Sequence, residues 1–275
     1  MIDSHHHFWR YSPADYGWID DEMEVLKRDF LPGDLELVAG KSGITGVISV
    51  QACESLEDNT FLLKQANASD LVKGVVGWLP LAAPDVEAHL DRFAAEPIFK
   101  GVREVIQGRK TGEFFENEDF NRGILLLTKR DLPYDVLIFE NQLEEAIRFI
   151  DRHPGQRFIV DHIAKPLISR GEVSRSWEKN IRSLARRENV MCKFSGVVTE
   201  VRDAEWSPES IKDYFTIALS AFGAERLMFG SDWPVCLLRT TYEQWLQTCR
   251  ELTADLSKTE QDQFFEGTAT AAYQL

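Results

Sequence analysis

Eight short runs rich in β-branched and aromatic residues recur along the chain: IDSHHHFW, ITGVISVQA, LVKGVVGWLPL, FKGVREVIQ, PYDVLIF, RFIVDHI, NVMCKFSGV and RLMFGSDWP. Between them lie stretches with helical spacing, among them LEDNTFLLKQANAS, PDVEAHLDRFAAE, NQLEEAIRFIDRH and SWEKNIRSLARR, whose polar positions would face water. Strand alternating with helix asks for a mostly parallel sheet covered by helices. Eight repeats within 275 residues fit an α/β chain folded as a (β/α)8 TIM barrel, with an open doubly wound sheet as the competitor. No linker or low-complexity stretch divides the chain, so residues 1–275 read as a single domain.

The first connection, YSPADYGWIDDEMEVLKRDFLPGDLELVAGKSG, is long for a strand-to-strand join. In a barrel it emerges at the C-terminal end of the strands, where active sites sit. Two roles are open to it: a lid carrying Tyr16, Trp18 and Arg28, or a capping segment that buries a tryptophan.

Charge excludes whole classes of partner. With Lys+Arg 31 against Asp+Glu 45, a net charge of −14 and a pI near 4.9, neither nucleic acid nor an anionic membrane is expected to bind. Cys53, Cys192, Cys236 and Cys249 form no CxxC pair and read as reduced thiols without chemistry. The first strand begins at Ile2, which leaves no room for a secretory leader, and the apolar runs are too short to span a bilayer. The expectation is a cytoplasmic protein, with an oligomer left open.

The three consecutive histidines of MIDSHHHFW pose a choice between a tag remnant and a functional strand. Phe8 and Trp9 follow at once, with no flexible linker, which favours the strand. With a two-residue period, Asp3, His5 and His7 share one face, in a ligand-like Asp-x-His-x-His pattern. His162 stands at the end of FIVDHIAKP. Asp232 stands where RLMFGSDWP leaves its strand, although an aspartate there can also cap a helix or nucleate a turn. Singly each signal is weak, but a barrel brings all of them to one face. His89 and His153 fall in or after amphipathic helices and read as solvated or local caps.

At these residues the chain resembles the amidohydrolase superfamily, in particular its branch of sugar-lactone hydrolases, which includes fuconolactonase-like and rhamnonolactonase-like enzymes. The resemblance rests on IDSHHHFW, SVQA, GVR, VDHIAKP, KFSG and FGSDWP and covers nearly the whole chain. It implies a distorted TIM barrel in which His5 and His7 bind or replace a divalent metal, zinc or manganese, and Asp232 handles the proton. His162 matches a strand-six histidine and Arg103 an inward arginine. Strand five has no histidine, however, and strand four reads GVREVIQ, so the usual ligand set is incomplete and the enzyme can be metal-independent. Glu104 is a possible oxygen ligand, but a strand that points Arg103 inward points Glu104 away.

The activity implied is hydrolysis of a sugar lactone such as L-fuconolactone or L-rhamnonolactone to its aldonic acid. Asp232 would activate water while His5, His7 and His162, or a bound metal on His5, His7 and Asp232, polarise the carbonyl. Trp18, Gln51, Arg103, Arg109 and Lys165 are the candidate substrate contacts, and Ser195 with Gly196 would shape the wall. Two alternatives stand beside this: a hydrolase of a dicarboxylate lactone from aromatic catabolism, for which a pocket with several basic side chains would speak where one rich in Trp, Gln and Asp would favour a neutral sugar, and a sugar-binding barrel without turnover.

Overall fold

The computed structural model describes every residue except 170, 171, 203 and 204. Eight parallel strands follow one another around a single sheet: β1 (Ile2–His6), β2 (Gly46–Val50), β3 (Val72–Gly77), β4 (Phe99–Val105), β5 (Tyr134–Leu137), β6 (Phe158–Val160), β7 (Val190–Phe194) and β8 (Leu227–Phe229). All eight lie within the runs identified in the sequence. The intervening helices bury one stripe each: Trp177, Ile181 and Leu184 of Arg175–Leu184 recur at helical spacing, as do Phe120, Ile124 and Leu127 of Glu118–Lys129. Ser55, Asn117, Ser174, Ser207 and Thr241 open their helices by accepting a hydrogen bond from a first-turn backbone N–H. Among the described residues, no helix is long and apolar enough to cross a membrane.

The interior of the barrel is layered. Ile2, Ile48, Val50, Val76, Ile159 and Met228 form a lower apolar layer, which the C-terminal helix Thr268–Tyr273 plugs with Ala269, Ala272 and Tyr273. Their neighbours Val47, Val75, Phe158, Val160, Leu227 and Phe229 belong to the outer core instead. One step further along the same inward rows the side chains become charged: Asp161 follows Ile159, Lys193 follows Met191, and Asp135 and Arg103 face the same space.

Closure between β8 and β1 departs from a regular ladder. Only an isolated bridge, His6 to Trp233, joins the two, with His7 N–H donating to the Trp233 carbonyl at 2.7 Å and Asp232 N–H to that of His5 at 2.8 Å. Side chains supply the rest. The Ser4 hydroxyl donates to the Phe229 carbonyl at 2.6 Å, and the Asp3 carboxylate accepts from Ser231 N–H at 2.8 Å and from the Tyr242 hydroxyl at 3.1 Å.

This corrects one expectation. Asp3 does not share a face with His5 and His7, because the β1–β2 register slips between Asp3 and His6 and a bulge turns one residue out of phase. Ile2 and His5, rather than Asp3 and His5, face the interior, while Asp3 pins the seam. Burial pushes its carboxyl up to about 6, against the pull of its hydrogen bonds to Ser231, His5 and Tyr242.

Candidate active site

At the C-terminal ends of the strands opens a cavity of about 790 Å³ lined, among others, by His7, Trp18, Gln51, Glu54, Arg103, Gln107, Arg109, His162, Lys165, Glu200 and Asp232. His5 lies beneath its floor. His5 Nε2 is 3.2 Å from His7 Nε2 and 3.7 Å from Asp232 Oδ1, and His7 Nε2 is 3.4 Å from the same oxygen. Asp232 is buried, which by itself would raise its carboxyl. The neighbouring His162, His7 and Lys165 outweigh that and hold it below the usual carboxylate range, so it is ionised at neutral pH. Among the described residues its side chain caps no helix, the next helical turn being opened by Pro234.

The hydrogen-bond network orients the His7 ring. His7 Nδ1 sits 2.8 Å from the Val50 carbonyl and must donate, so its Nε2 is the nitrogen that faces the cavity. His5 is neutral, its pKa driven well below the usual range first by burial. Its Nδ1 lies 3.1 Å from the Lys193 ammonium and 3.4 Å from Asp161 Oδ1, and its Nε2 lies 3.3 Å from the Arg103 guanidinium, so a cationic donor faces each ring nitrogen.

Lys193 and its partners were not singled out from the sequence. The ammonium, fully buried, lies 2.5 Å from Asp135 and 3.0 Å from Asp161, and the Tyr273 hydroxyl donates to Asp135 at 2.7 Å. Asp161 also accepts from Arg103 at 3.0 Å, and the same guanidinium donates to the Gln51 carbonyl at 2.5 Å and approaches His5 Nε2 at 3.3 Å. Burial raises Asp135 to about 6 despite Lys193. For Asp161 burial acts the same way, but Lys193, His5 and Arg103 together drive its pKa well below normal. The signal was present in the sequence: a charged residue in the middle of VMCKF or YDVL can be buried only with a partner.

His162 follows β6 on an unusual backbone. His162, Ile163, Ala164 and Lys165 all take left-handed dihedrals, with φ of 54°, 47°, 60° and 45°. Each such residue costs about 1–2 kcal/mol, so this single turn is strained and must be held from outside. The Trp177 indole donates to the Ile163 carbonyl at 2.8 Å, and Ser195 Oγ lies 2.9 Å from His162 Nδ1. The turn swings both His162 and Lys165 to the cavity. Burial lowers His162 to about 4, leaving it neutral at pH 7. Gly196 has a φ of 62° and passes so close that a Cβ there would lie 2.7 Å from both Asp232 Oδ2 and His162 Nδ1. Only glycine fits.

The candidate substrate contacts fare differently. Gln51 and Arg103 are buried on the cavity wall. Trp18 is 42 % exposed and donates its indole N–H to the Ala52 carbonyl at 3.0 Å. Arg109 reaches the cavity bound to Glu54, and Lys165 lies 3.6 Å from Glu200. The first connection buries Tyr16 against Trp9 of the preceding run, whereas its own Trp18 lines the cavity. Arg28 is occupied by Asp34 and the Phe30 ring and does not reach the site. Glu104 does not join the histidines either. It lies on the opposite face of β4 from Arg103, accepting from the Trp78 indole at 3.1 Å. His89 pairs locally with Asp85, but His153 is buried rather than solvated, with Nε2 2.7 Å from Asn121 Oδ1.

His5, His7 and Asp232 form a group that could hold a metal ion. Their separations of 3.2, 3.4 and 3.7 Å approach the edge of a tetrahedron with metal–ligand bonds of about 2.0–2.1 Å, roughly 3.3 Å. His7, with Nδ1–H on a carbonyl, is already in the ligand tautomer. For His5 the ligand tautomer is the one whose Nδ1–H donates to Asp161 Oδ1, 3.4 Å away. The donors therefore fit an ion.

A family model described as amidohydrolase matches residues 2–275. The L-fucono-1,5-lactonase of Burkholderia multivorans is 37% identical over 100% of this chain and 96% of its own length, and that of Burkholderia ambifaria is 34% identical over 91% and 87%. The crystal structure of an amidohydrolase from Burkholderia multivorans with bound zinc superposes with a TM-score of 0.94 at 37% identity, covering 100% of this chain and 99% of that one. The barrel agrees with these likenesses, and the family match spans nearly the whole chain: the chain belongs to the amidohydrolase family.

Proposed function

We propose that the chain opens a neutral sugar lactone of the L-fucono-1,5-lactone type to its aldonic acid. The carrying observation is an ionised, buried Asp232 beside His5 and His7 at the floor of a cavity large enough for a monosaccharide. The two Burkholderia lactonases support the substrate class.

Asp232 takes a proton from water as the oxygen adds to the lactone carbonyl. The developing oxyanion meets Arg103, whose buried Nε–H has no partner among the described residues, with His162 beside it. Collapse breaks the bond between the carbonyl carbon and the ring oxygen, and Asp232 returns its proton to the departing alkoxide. His5 and His7 flank Asp232 Oδ1 at 3.7 and 3.4 Å and border the space the water occupies. When bound to His5, His7 and Asp232, a divalent metal would supply Lewis acidity to the carbonyl.

The dicarboxylate alternative loses ground on charge. Arg103 is paired with Asp161, Arg109 with Glu54, and Lys165 and Arg202 share Glu200, so each of these cations already has a carboxylate partner. The four cysteines are all free, in keeping with a cytoplasmic location. The test is a panel of neutral 1,5- and 1,4-sugar lactones and a dicarboxylate lactone, followed with a pH indicator before and after chelation. Opening of neutral sugar lactones is expected. Preference for the dicarboxylate, or no turnover at all, overturns the proposal.

A further inference from the structure

The catalytic floor accounts for one end of the cavity; the wall beyond β2 and β4 carries polar groups that the mechanism leaves unused. Glu54 and Gln107 both line it. Glu54 accepts from Val105 N–H at 3.3 Å and from Arg109. Gln107 Oε1 is buried without a hydrogen-bond partner among the described residues. An orphaned buried acceptor costs free energy unless a ligand satisfies it.

We infer that Glu54 and Gln107 form the specificity-determining end of the cavity, accepting hydrogen bonds from adjacent hydroxyls of the lactone ring. This rests on the lactonase reading above. Both groups present acceptor oxygens, and a polyol offers O–H donors at neighbouring carbons. The Trp18 indole, anchored on the carbonyl of Ala52 in the loop that carries Glu54, gives an apolar surface for the C–H face of the same ring.

Glu54 is built to stay anionic. Burial raises the Glu104 carboxyl to about 9, and the adjacent Glu54 adds to this, so Glu104 remains protonated and can donate to Glu54. Burial opposes the charge on Glu54 as well, but Glu104 and Arg109 hold its pKa below the usual value. Glu104, far from the catalytic histidines, is thus a positioning residue for Glu54. Arg109, with one Nη near Glu104 at 3.6 Å and the other on Glu54, fixes the pair rather than gripping substrate.

The test compares a six-membered sugar lactone with bare δ-valerolactone in the wild type, Glu54→Gln and Gln107→Met. For Glu54→Gln the ratio of kcat/KM, sugar lactone over bare lactone, should fall about 10- to 100-fold, the range for a lost hydrogen bond to a charged group; for Gln107→Met it should fall about 5-fold. The change should appear in KM for the sugar lactone, with kcat nearly held. Melting temperatures on the same preparations guard against misfolding, and Glu54→Asp, which keeps the charge but withdraws it by one methylene, should also lower the ratio. Equal losses on both lactones, or a fall in kcat with KM held, overturn this inference alone. A wild type that opens neither lactone overturns the function proposal and this inference with it.

Discussion

Lys193 is the residue whose replacement tests the interior network most directly. Its ammonium is fully buried and serves Asp135 at 2.5 Å, Asp161 at 3.0 Å and His5 Nδ1 at 3.1 Å. Lys193→Met keeps the length and removes the charge, leaving Asp135 with only the Tyr273 hydroxyl. Breaking a buried pair in this way costs about 3–5 kcal/mol. At about 2–4 °C per kcal/mol for a chain of this order, the melting temperature should drop by roughly 6–20 °C at pH 8.

The deficit should shrink at lower pH. Asp135 has a folded pKa raised to about 6, above its unfolded value near 3.8. Between those values the folded state binds more protons than the unfolded one, so acidification favours folding through this group. Without Lys193 its pKa rises further, and by pH 5 the variant carries a neutral acid in place of a stranded charge. Differential scanning calorimetry of wild type and variant at pH 5 and pH 8 measures both quantities. A drop under 2 °C at pH 8, or the same deficit at both pH values, refutes the assignment of Lys193 as the counter-ion of Asp135.

Asp232→Asn removes the base while keeping the shape, and turnover should fall by about 10²–10⁴ with little change in lactone affinity or melting temperature; single-turnover kinetics that retain most of the rate would sink the assignment. Gly196→Ala places a methyl 2.7 Å from both Asp232 Oδ2 and His162 Nδ1 on a backbone with φ of 62°, so both stability and activity should drop, whereas Gly223→Ala, whose Cβ meets nothing within 4 Å at φ of 69°, should cost stability alone. Because strand five contributes no histidine and Glu104 lies away from His5, His7 and Asp232, metal should be substoichiometric as purified and dispensable. Elemental analysis finding one tightly held ion per chain, with activity lost on chelation and restored on re-addition, would contradict this.

Strand order, the barrel and the meeting of His5, His7, His162 and Asp232 were legible because each rests on a local pattern: apolar period, strand end, turn residues. What escaped was non-local. The bulge that moves Asp3 from the site to the seam depends on the β1–β2 register, which alternation along β1 alone cannot reveal. Lys193 and Asp135 lie 58 positions apart and explain one another only once β5 and β7 face a common interior. The left-handed turn at His162–Lys165 has no glycine to announce it, since it is imposed by Trp177 and Ser195 from the following helix and strand.

The seam between β8 and β1 carries a further consequence. Every other junction of the barrel is a main-chain ladder, whereas here a bridge, a serine and an aspartate act as a clasp. The reacting groups sit on both halves of that clasp, His5 and His7 on one side and Asp232 on the other. A regional opening of this joint would part base from imidazole while the remaining seven junctions stay shut. The enzyme should therefore report its own loosening: as temperature rises, catalysis fades before helical content does, and a ligand that bridges the two halves tightens the whole barrel by holding its least-bonded edge.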